Sequence, residues 1–388
     1  FFILETQWEN IHPKQKIEKS KLEGKVDRTM GVGAFAGKKK KGEEYVEIDV
    51  VYKIRKLVDH VYLVADGTAF SLHKLTEEIP GGVKIEEDFT LSKKGDIRKA
   101  NFVFLIPKKA ENLGFQFFDY EYGHILIPIQ GDIGKAVGIS GVAGKVLDQI
   151  KSNLIEIAAQ GISFRNEYQG EKAEDGWHYA IIYLSGKSLS GTKVKDIVQI
   201  DLKEYTWVTT QDGYFYYGYG GSTTEEGFIR FTPELYQSQE VAFLVPANAK
   251  LASLGLRIQN ETFQLKLGSQ MMSSMPKALA IHQDGETMEV TVYGLQKKEG
   301  TVILDLGIKS LAESGLEIQA EEQFMLIVGE EKISFDEEAT QRLFHRPPTP
   351  FIIPPKTFIR FKLAYRTDRS PTSLYFRGYE SEKYLSLK

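Results

Sequence analysis

The sequence has no cysteine, no long apolar run and no strong excess of charge of either sign. Without cysteine, disulfides, thiolate metal sites and thiol nucleophiles are all excluded. The longest apolar runs, such as 179–184 and 324–328, are far shorter than the roughly 18 to 20 residues that span a bilayer, so no transmembrane segment is predicted. With a net charge of −4, the protein as a whole has no positive electrostatic potential that would attract nucleic acid, and we expect no nucleic-acid partner.

The composition favours β-strands. The 388 residues include 19 tyrosines, 23 phenylalanines and 35 glycines, which suit pleated strands joined by tight turns. The length exceeds one ordinary domain of about 100 to 150 residues. An all-β protein of several domains is therefore predicted.

One pattern recurs near the end of each third of the chain. The first copy is 102–110 followed by Leu113-Gly114, and the second is 241–249 followed by Leu254-Gly255. The third copy, at 358–365, is looser and has no proline in register. Such periodicity indicates repeated structural units.

A hairpin signal precedes each of these segments. Asp66-Gly67 and Asp212-Gly213 lie between alternating apolar residues, and the third copy has Gly329 instead. Asp-Gly is a strong signal for a type I′ hairpin, in which both central residues have positive φ. Strands are also predicted at 1–7, 155–164, 278–282, 89–91 and 228–231.

These patterns predict three tandem immunoglobulin-like β-sandwich domains, although a jelly roll or another Greek-key sandwich would give similar periodicity. The predicted organisation is domain 1 (1–133) with a basic insertion (11–42), a glycine-rich linker with a short helix (134–152), domain 2 (153–268), a linker (269–276) and domain 3 (277–388). The helix is predicted because apolar residues within 142–150 recur at helical spacing. Methionines of the second linker are expected to pack between domains.

The strand, the Asp-Gly hairpin and the aromatic strand followed by Leu-Gly resemble the telokin-like immunoglobulin-fold modules of bacterial secreted and lipid-anchored proteins. The resemblance covers about the last half of each of the first two thirds. It implies an extracytoplasmic setting and no catalytic residue. A chain that begins with Phe1 rather than Met either has lost a leader or is a piece cut from a longer chain. We take the first interpretation, a mature exported protein, and expect an extracellular or bacterial cell-envelope location.

A basic segment is the most unusual feature of composition. Residues 14–41 contain ten basic and three acidic side chains, a net of +7. This suits an arm that binds an anionic surface, an acidic glycan or an acidic subunit, and a solvated charged hairpin is the alternative. The predicted binding residues are Lys14, Lys16, Lys19, Lys21, Lys25, Arg28, Lys38, Lys39, Lys40 and Lys41.

A tyrosine-rich stretch at 214–219 is the second candidate binding site. Tyrosine rings beside glycines provide rigid contact area for sugars or a partner protein, whereas a strand with cross-strand aromatic pairs is the alternative. The predicted aromatic face consists of Tyr214, Tyr216, Tyr217 and Tyr219.

No arrangement typical of an enzyme is present in the sequence. No histidine pair has the spacing of a helix-borne metal site, no nucleophile elbow is found, and no cofactor or metal is predicted. Acidic turns at 174–176, 284–286 and 336–338 leave calcium open.

We therefore expect a non-catalytic structural or interaction protein that binds protein partners, self-association included, as a candidate subunit of a larger assembly. A carbohydrate-binding protein or a sandwich-fold glycoside hydrolase that uses an aromatic face is the alternative.

Overall fold

The computed structural model describes residues 1–10, 15–18, 32–36, 45–119, 123–131, 146–191, 196–221, 228–233, 236–268, 275–348 and 351–387. The described residues form an all-β protein of several sheets. Below, the N-terminal third is 1–131, the middle third is 146–268, and the C-terminal third is 275–387.

The strands follow one another in chain order. Those of the N-terminal third are β1 (Phe2–Glu9), β2 (Gln15–Glu18), β3 (Val32–Ala36), β4 (Tyr45–Ile54), β5 (Val61–Ala65), β6 (Thr68–Ser71), β7 (Phe89–Leu91), β8 (Ile97–Phe104), β9 (Leu113–Asp119) and β10 (Gly123–Gln130).

The middle third begins with β11 (Asp148–Lys151), β12 (Ile155–Arg165), β13 (Glu167–Tyr168), β14 (Glu171–Lys172), β15 (Trp177–Ser188), β16 (Val198–Asp201) and helix α1 (Leu202–Tyr205). It continues with β17 (Thr206–Thr210), β18 (Phe215–Tyr217), β19 (Gly220–Gly221), β20 (Phe228–Phe231), β21 (Tyr236–Pro246), β22 (Leu251–Ile258) and β23 (Glu261–Lys266).

The C-terminal third contains β24 (Ala280–Asp284), β25 (Met288–Lys298), β26 (Thr301–Ser310), β27 (Leu316–Glu317), helix α2 (Ala320–Gln323), β28 (Phe324–Val328), β29 (Glu331–Ile333), helix α3 (Glu337–Gln341), β30 (Ile352–Ile353), β31 (Phe358–Arg366), β32 (Ser373–Arg377) and β33 (Glu382–Ser386). The strands predicted at 89–91 and 228–231 are confirmed to the residue, and those predicted at 1–7, 155–164 and 278–282 are confirmed with small shifts at their ends.

One arrangement of strands occurs in all three thirds. In each third, the first strand of one hairpin pairs with the first strand of a later hairpin, which gives the orders β10-β9-β5-β6, β23-β22-β17-β18 and β33-β32-β28-β29. In the last two thirds a second row of strands accompanies it, β11-β12-β15-β21 and β24-β25-β26-β31.

Each pair of sheets encloses a hydrophobic core. In the middle third, Ala180, Ile182 and Leu184 alternate along β15 and pack with Val208 and Leu254 of the other sheet. The period-2 alternation puts one face of each sheet inside, which defines a β-sandwich. The N-terminal core is aromatic, and the half-buried Trp8 packs against it, with its ring centroid 5.1 Å from that of Phe117 and 5.5 Å from that of Phe89.

The hairpin turns differ in detail. Asp66 and Gly67 both have positive φ, 46° and 83°, and Ala65 pairs with Thr68, so the type I′ prediction is confirmed there. At the second site the prediction is wrong, because only Gly213 has positive φ and the loop is longer, with Thr209 paired to Phe215.

The helix predicted within 142–150 is also wrong over the described part of that range. Residues 148–151 form β11, whose partners are Glu156 to Ala159 of β12, and the Leu147 amide donates to the Ala159 carbonyl. The apolar spacing was compatible with both structures, and the edge of β12 decided between them. Residues 142–145 lie outside the described residues.

The N-terminal and middle thirds join through main-chain pairing. Strand β6 runs parallel to β21, with Tyr236 opposite Thr68, and a nine-stranded sheet results. The Gln237 amide donates to Ser71 Oγ at 2.6 Å, and Arg230 Nε lies 3.1 Å from Asp59 Oδ1.

Candidate interaction surfaces

The tyrosine-rich stretch begins in the hairpin of β17 and β18. Tyr214 and Tyr216 point into the core of the middle third and are only 5% and 8% exposed. Their hydroxyl groups continue outward to the C-terminal third. We call the residues at this contact, Tyr214, Tyr216, Asp305, His345 and Arg360, the junction.

Arg360 of β31 is at the centre of the junction. Its Nε and Nη2 donate to the two carboxylate oxygens of Asp305, both at 2.8 Å, and its Nη1 donates to the Asp212 carbonyl at 2.8 Å. Tyr214 donates from its hydroxyl to Asp305 at 2.9 Å, and the guanidinium lies 4.6 Å from the centre of the Tyr214 ring. A two-point Arg–carboxylate pair fixes both distance and orientation.

The arginine remains charged although its side chain is only 8% exposed. Burial alone lowers the pKa of Arg360, but the hydrogen bonds and charge of Asp305 outweigh this effect and the pKa rises. Burial, followed by the Asp305 charge, raises the pKa of Tyr214, so the phenol stays protonated and can donate.

His345 lies flat on Tyr214, with ring centroids 3.6 Å apart and planes 6° apart. Its Nδ1 is 2.7 Å from the Tyr216 hydroxyl. Burial, with a smaller contribution from Lys362, lowers the pKa of His345 to about 4. The imidazole is therefore neutral at pH 7.

Further contacts surround the junction. Trp177 packs on Phe344 and under Arg346, with the Arg346 carbon 5.2 Å from the ring centre. Tyr217 donates from its hydroxyl to the Ile352 carbonyl. Met275, at the end of the second predicted linker, lies directly over Gly213, as expected for a methionine between domains.

Three of the four tyrosines predicted as a binding face thus face the C-terminal third. Tyr214, Tyr216 and Tyr217 each bond to it through their hydroxyl groups. The prediction of an aromatic face open to solvent is wrong for Tyr214 and Tyr216, because two sandwiches close over their rings.

Tyr219 is different, and lies on the outer face of the sheet β12-β15-β21. Its ring centroid is 5.0 Å from that of Tyr179, and its hydroxyl donates to Glu171. Tyr183, four residues after Tyr179, lies on the same face of β15. Tyr168 of β13 covers Tyr179, and their ring centroids are 5.8 Å apart. We call Tyr168, Tyr179, Tyr183 and Tyr219 the tyrosine face.

Charged groups border this face. Arg165 Nη2 donates to the Tyr183 hydroxyl at 2.8 Å, and Glu240 is the cross-strand neighbour of Tyr183. Burial raises the pKa of Glu240, and Arg165 and a hydrogen bond from Tyr168 partly oppose the rise.

The basic segment is only partly described. Lys16 lies in β2, which pairs with β4, and the other nine predicted basic residues lie outside the described residues. Their role as a binding arm stays a prediction.

Two of the three acidic turns use their carboxylates as turn and helix caps. Asp336 accepts from the Ala339 amide at 2.9 Å, and Asp284 accepts from the Tyr379 amide at 2.6 Å and from Ser381 Oγ at 2.7 Å. In the part of the chain that the structure describes, no three His, Asp or Glu side chains are grouped as a metal site would require. No helix among the described ranges is both long and apolar enough to cross a membrane.

Sequence reasoning missed Asp305, His345 and Arg360, since no motif connects them and 55 residues separate Asp305 from Arg360. It could have found Tyr179 and Tyr183, because residues i and i+4 of a strand lie on one face.

No family model matches the sequence, and no curated protein matches it. The crystal structure of an uncharacterized β-sandwich protein from Clostridium difficile 630 aligns with 32% of this chain and 92% of its own, at 16% identity and a TM-score of 0.23. The β-sandwich character of this chain rests on the facing sheets described above.

Proposed function

We propose that this protein is a non-catalytic structural or interaction protein of the cell envelope or extracellular space, built from three tandem immunoglobulin-like β-sandwich domains. The sheet order that recurs in each third supports the three-domain organisation. The location rests on the sequence resemblance to modules of secreted and lipid-anchored proteins.

The junction is the observation that carries the proposal. Buried Arg, Asp, His and Tyr side chains are the groups that an active site would use. Here they bond to one another between two sandwiches, and Arg360 has all three of its nitrogens engaged. Their role is to hold the middle and C-terminal thirds at a fixed angle, as a scaffold requires.

The partner is a protein, and a second copy of this chain is the first candidate. The ten basic residues within 14–41 give a local charge opposite to that of the whole chain, whose net charge is −4. Such segments attract acidic surfaces on other copies, and the attraction weakens with salt.

Size-exclusion chromatography with light scattering tests this function. We expect oligomers at low salt that dissociate at high salt, and a variant with Lys38 to Lys41 changed to serine should stay monomeric. A matched control changes the exposed Lys93, Lys94, Lys108 and Lys109 instead, and should behave like the wild type. A monomeric wild type at every salt concentration would contradict the assembly role.

A further inference from the structure

The outer face of the sheet β12-β15-β21 has an unusual composition for a surface. Tyr179, Ile181 and Tyr183 point outward from β15, and Ala242 and Leu244 of β21 extend the apolar floor between them. The rings of Tyr183 and Tyr219 remain partly open to solvent, whereas Tyr168 and Tyr179 are buried at 4% and 2% exposure. Buried tyrosines thus form a base for two accessible rings.

The accessible rings are held in place by polar neighbours. Tyr183 is fixed by Arg165 at 2.8 Å and Ser163 at 3.1 Å, and Tyr219 is fixed by Glu171 and by the ring of Tyr179. Preorganised rings lose little conformational freedom on binding. Arg165 and Glu171 are exposed beside them and present hydrogen-bonding groups of both signs.

We propose that the tyrosine face is a binding site for a neutral polysaccharide chain. Sugar rings present C–H faces that pack on aromatic rings and hydroxyl groups that bond to the polar border. The distance along β15 from Tyr179, against which Tyr219 packs, to Tyr183 is about 13 Å, longer than one monosaccharide.

The chemistry of the border favours a neutral ligand. Arg165 lies on this face among Glu171, Glu240 and the tyrosine hydroxyls. An anionic polymer would meet these carboxylates at close range, whereas an uncharged hydroxyl can donate to a carboxylate and accept from arginine. The site is separate from the junction and does not depend on the proposed scaffold function.

Native electrophoresis in gels that contain a polysaccharide tests the site. The probes are mixed-linkage β-glucan, galactomannan and xylan, with polygalacturonate as the anionic comparison. We expect the wild type to be slowed in at least one neutral gel. Tyr183→Ala and Tyr219→Ala should each weaken the affinity by about tenfold, as expected for a central aromatic contact.

Tyr205→Ala is the matched control, because Tyr205 is a tyrosine of the same third that is 39% exposed and lies in helix α1 rather than in the sheet β12-β15-β21. Tyr183→Phe keeps the ring and should keep most of the binding, and thermal unfolding identifies any variant that fails to fold. Unaltered migration of the wild type in every neutral gel would overturn the proposal. So would retardation that survives in the Tyr183→Ala/Tyr219→Ala double variant, retardation by polygalacturonate alone, or a dimer that these substitutions dissociate.

Discussion

At the scale of single residues, buried charge is tolerated because every partner is present. Arg360 and Asp305 are 8% and 16% exposed and share two hydrogen bonds, with a third contact from Tyr214. A buried pair contributes little net stability while intact, but removing one partner leaves an uncompensated charge. The junction is therefore sensitive to single substitutions.

Asp305→Ala should lower the free energy of unfolding by roughly 3 kcal/mol, because the Arg360 guanidinium would stay buried without its carboxylate. Urea denaturation of the purified chain measures this change. Arg366→Ala is the matched control, since the Arg366 side chain is 75% exposed in its pair with Asp336, and we expect a loss of about 1 kcal/mol or less. Equal losses in the two variants would show that the junction pair is no more important than a surface pair.

His345 should make stability depend on pH. Its pKa is about 4 in the folded protein and about 6.5 in an unfolded chain, so between these values the unfolded state binds a proton that the folded state does not. The contribution is complete above pH 6.5 and is lost as the pH falls toward 4. The groups that face the ring are Tyr214, Tyr216, Asp305, Arg360 and Lys362.

The melting temperature measured from pH 7.5 to 4.5 tests this dependence. His345→Phe retains a ring that can stack on Tyr214 and removes the titrating group. As the pH falls over this range, the melting temperature of the wild type should decrease by more than that of the variant. Parallel curves for the two proteins would rule out His345 as the source.

At the scale of elements, hairpins of similar sequence perform different tasks. The β5-β6 turn has positive φ at both Asp66 and Gly67, whereas the longer β17-β18 turn presses Gly213 against the C-terminal third. A Cβ at position 213 would lie 2.3 Å from Met275 Cε and 3.1 Å from a ring carbon of Phe358. This glycine is required by its contacts as well as by its φ of 83°.

Gly213→Ala and Gly329→Ala form a matched pair that separates these two effects. Gly329 also has positive φ, 67°, but a Cβ there meets nothing within 4 Å. We expect Gly329→Ala to cost about 1 kcal/mol from backbone strain alone, and Gly213→Ala to cost more because Met275 and Phe358 must move. Urea denaturation compares them, and equal costs would mean that Met275 and Phe358 move aside without penalty.

At the scale of the whole molecule, successive thirds are joined in related ways. Strand β6 pairs with β21 between the first two thirds, and a single parallel bridge between Tyr214 and Arg360, together with the polar junction, joins the last two. In both joints, a hairpin of the earlier third contacts the last strand of a four-strand row in the later third. The hairpin β5-β6 contacts β21 of the row β11-β12-β15-β21. The hairpin β17-β18 contacts β31 of the row β24-β25-β26-β31, where the Arg360 amide donates to the Gly213 carbonyl at 3.1 Å. A chain connected in this way should behave as one body.

Small-angle X-ray scattering should detect loosening when the second joint is broken. A variant with Asp305→Ala and Tyr217→Phe removes side-chain hydrogen bonds between the middle and C-terminal thirds, and we expect its radius of gyration and maximum dimension to increase. Arg366→Ala should scatter like the wild type. Unchanged scattering from a folded double variant would show that apolar packing, such as that of Trp207 and Phe215, is sufficient.

The sequence alone determined the β-strands, because alternating side chains, Asp66-Gly67 and the apolar run of β28 are local patterns that specify local geometry. It did not determine β11, because the spacing of the apolar residues there also suits a helix, and pairing with the edge of β12 decides in favour of a strand.

Only the tertiary structure decided which of the tyrosines are buried and which lies on an outer face. Tyr214 and Asp305 are 91 residues apart, and packing between sandwiches brings them together without any local signal. The same packing buries Tyr214 and Tyr216 and leaves Tyr219 on an outer face, although all three belong to one short stretch. Side-chain direction in a strand follows from the sequence, but what covers each face depends on contacts distant in the chain.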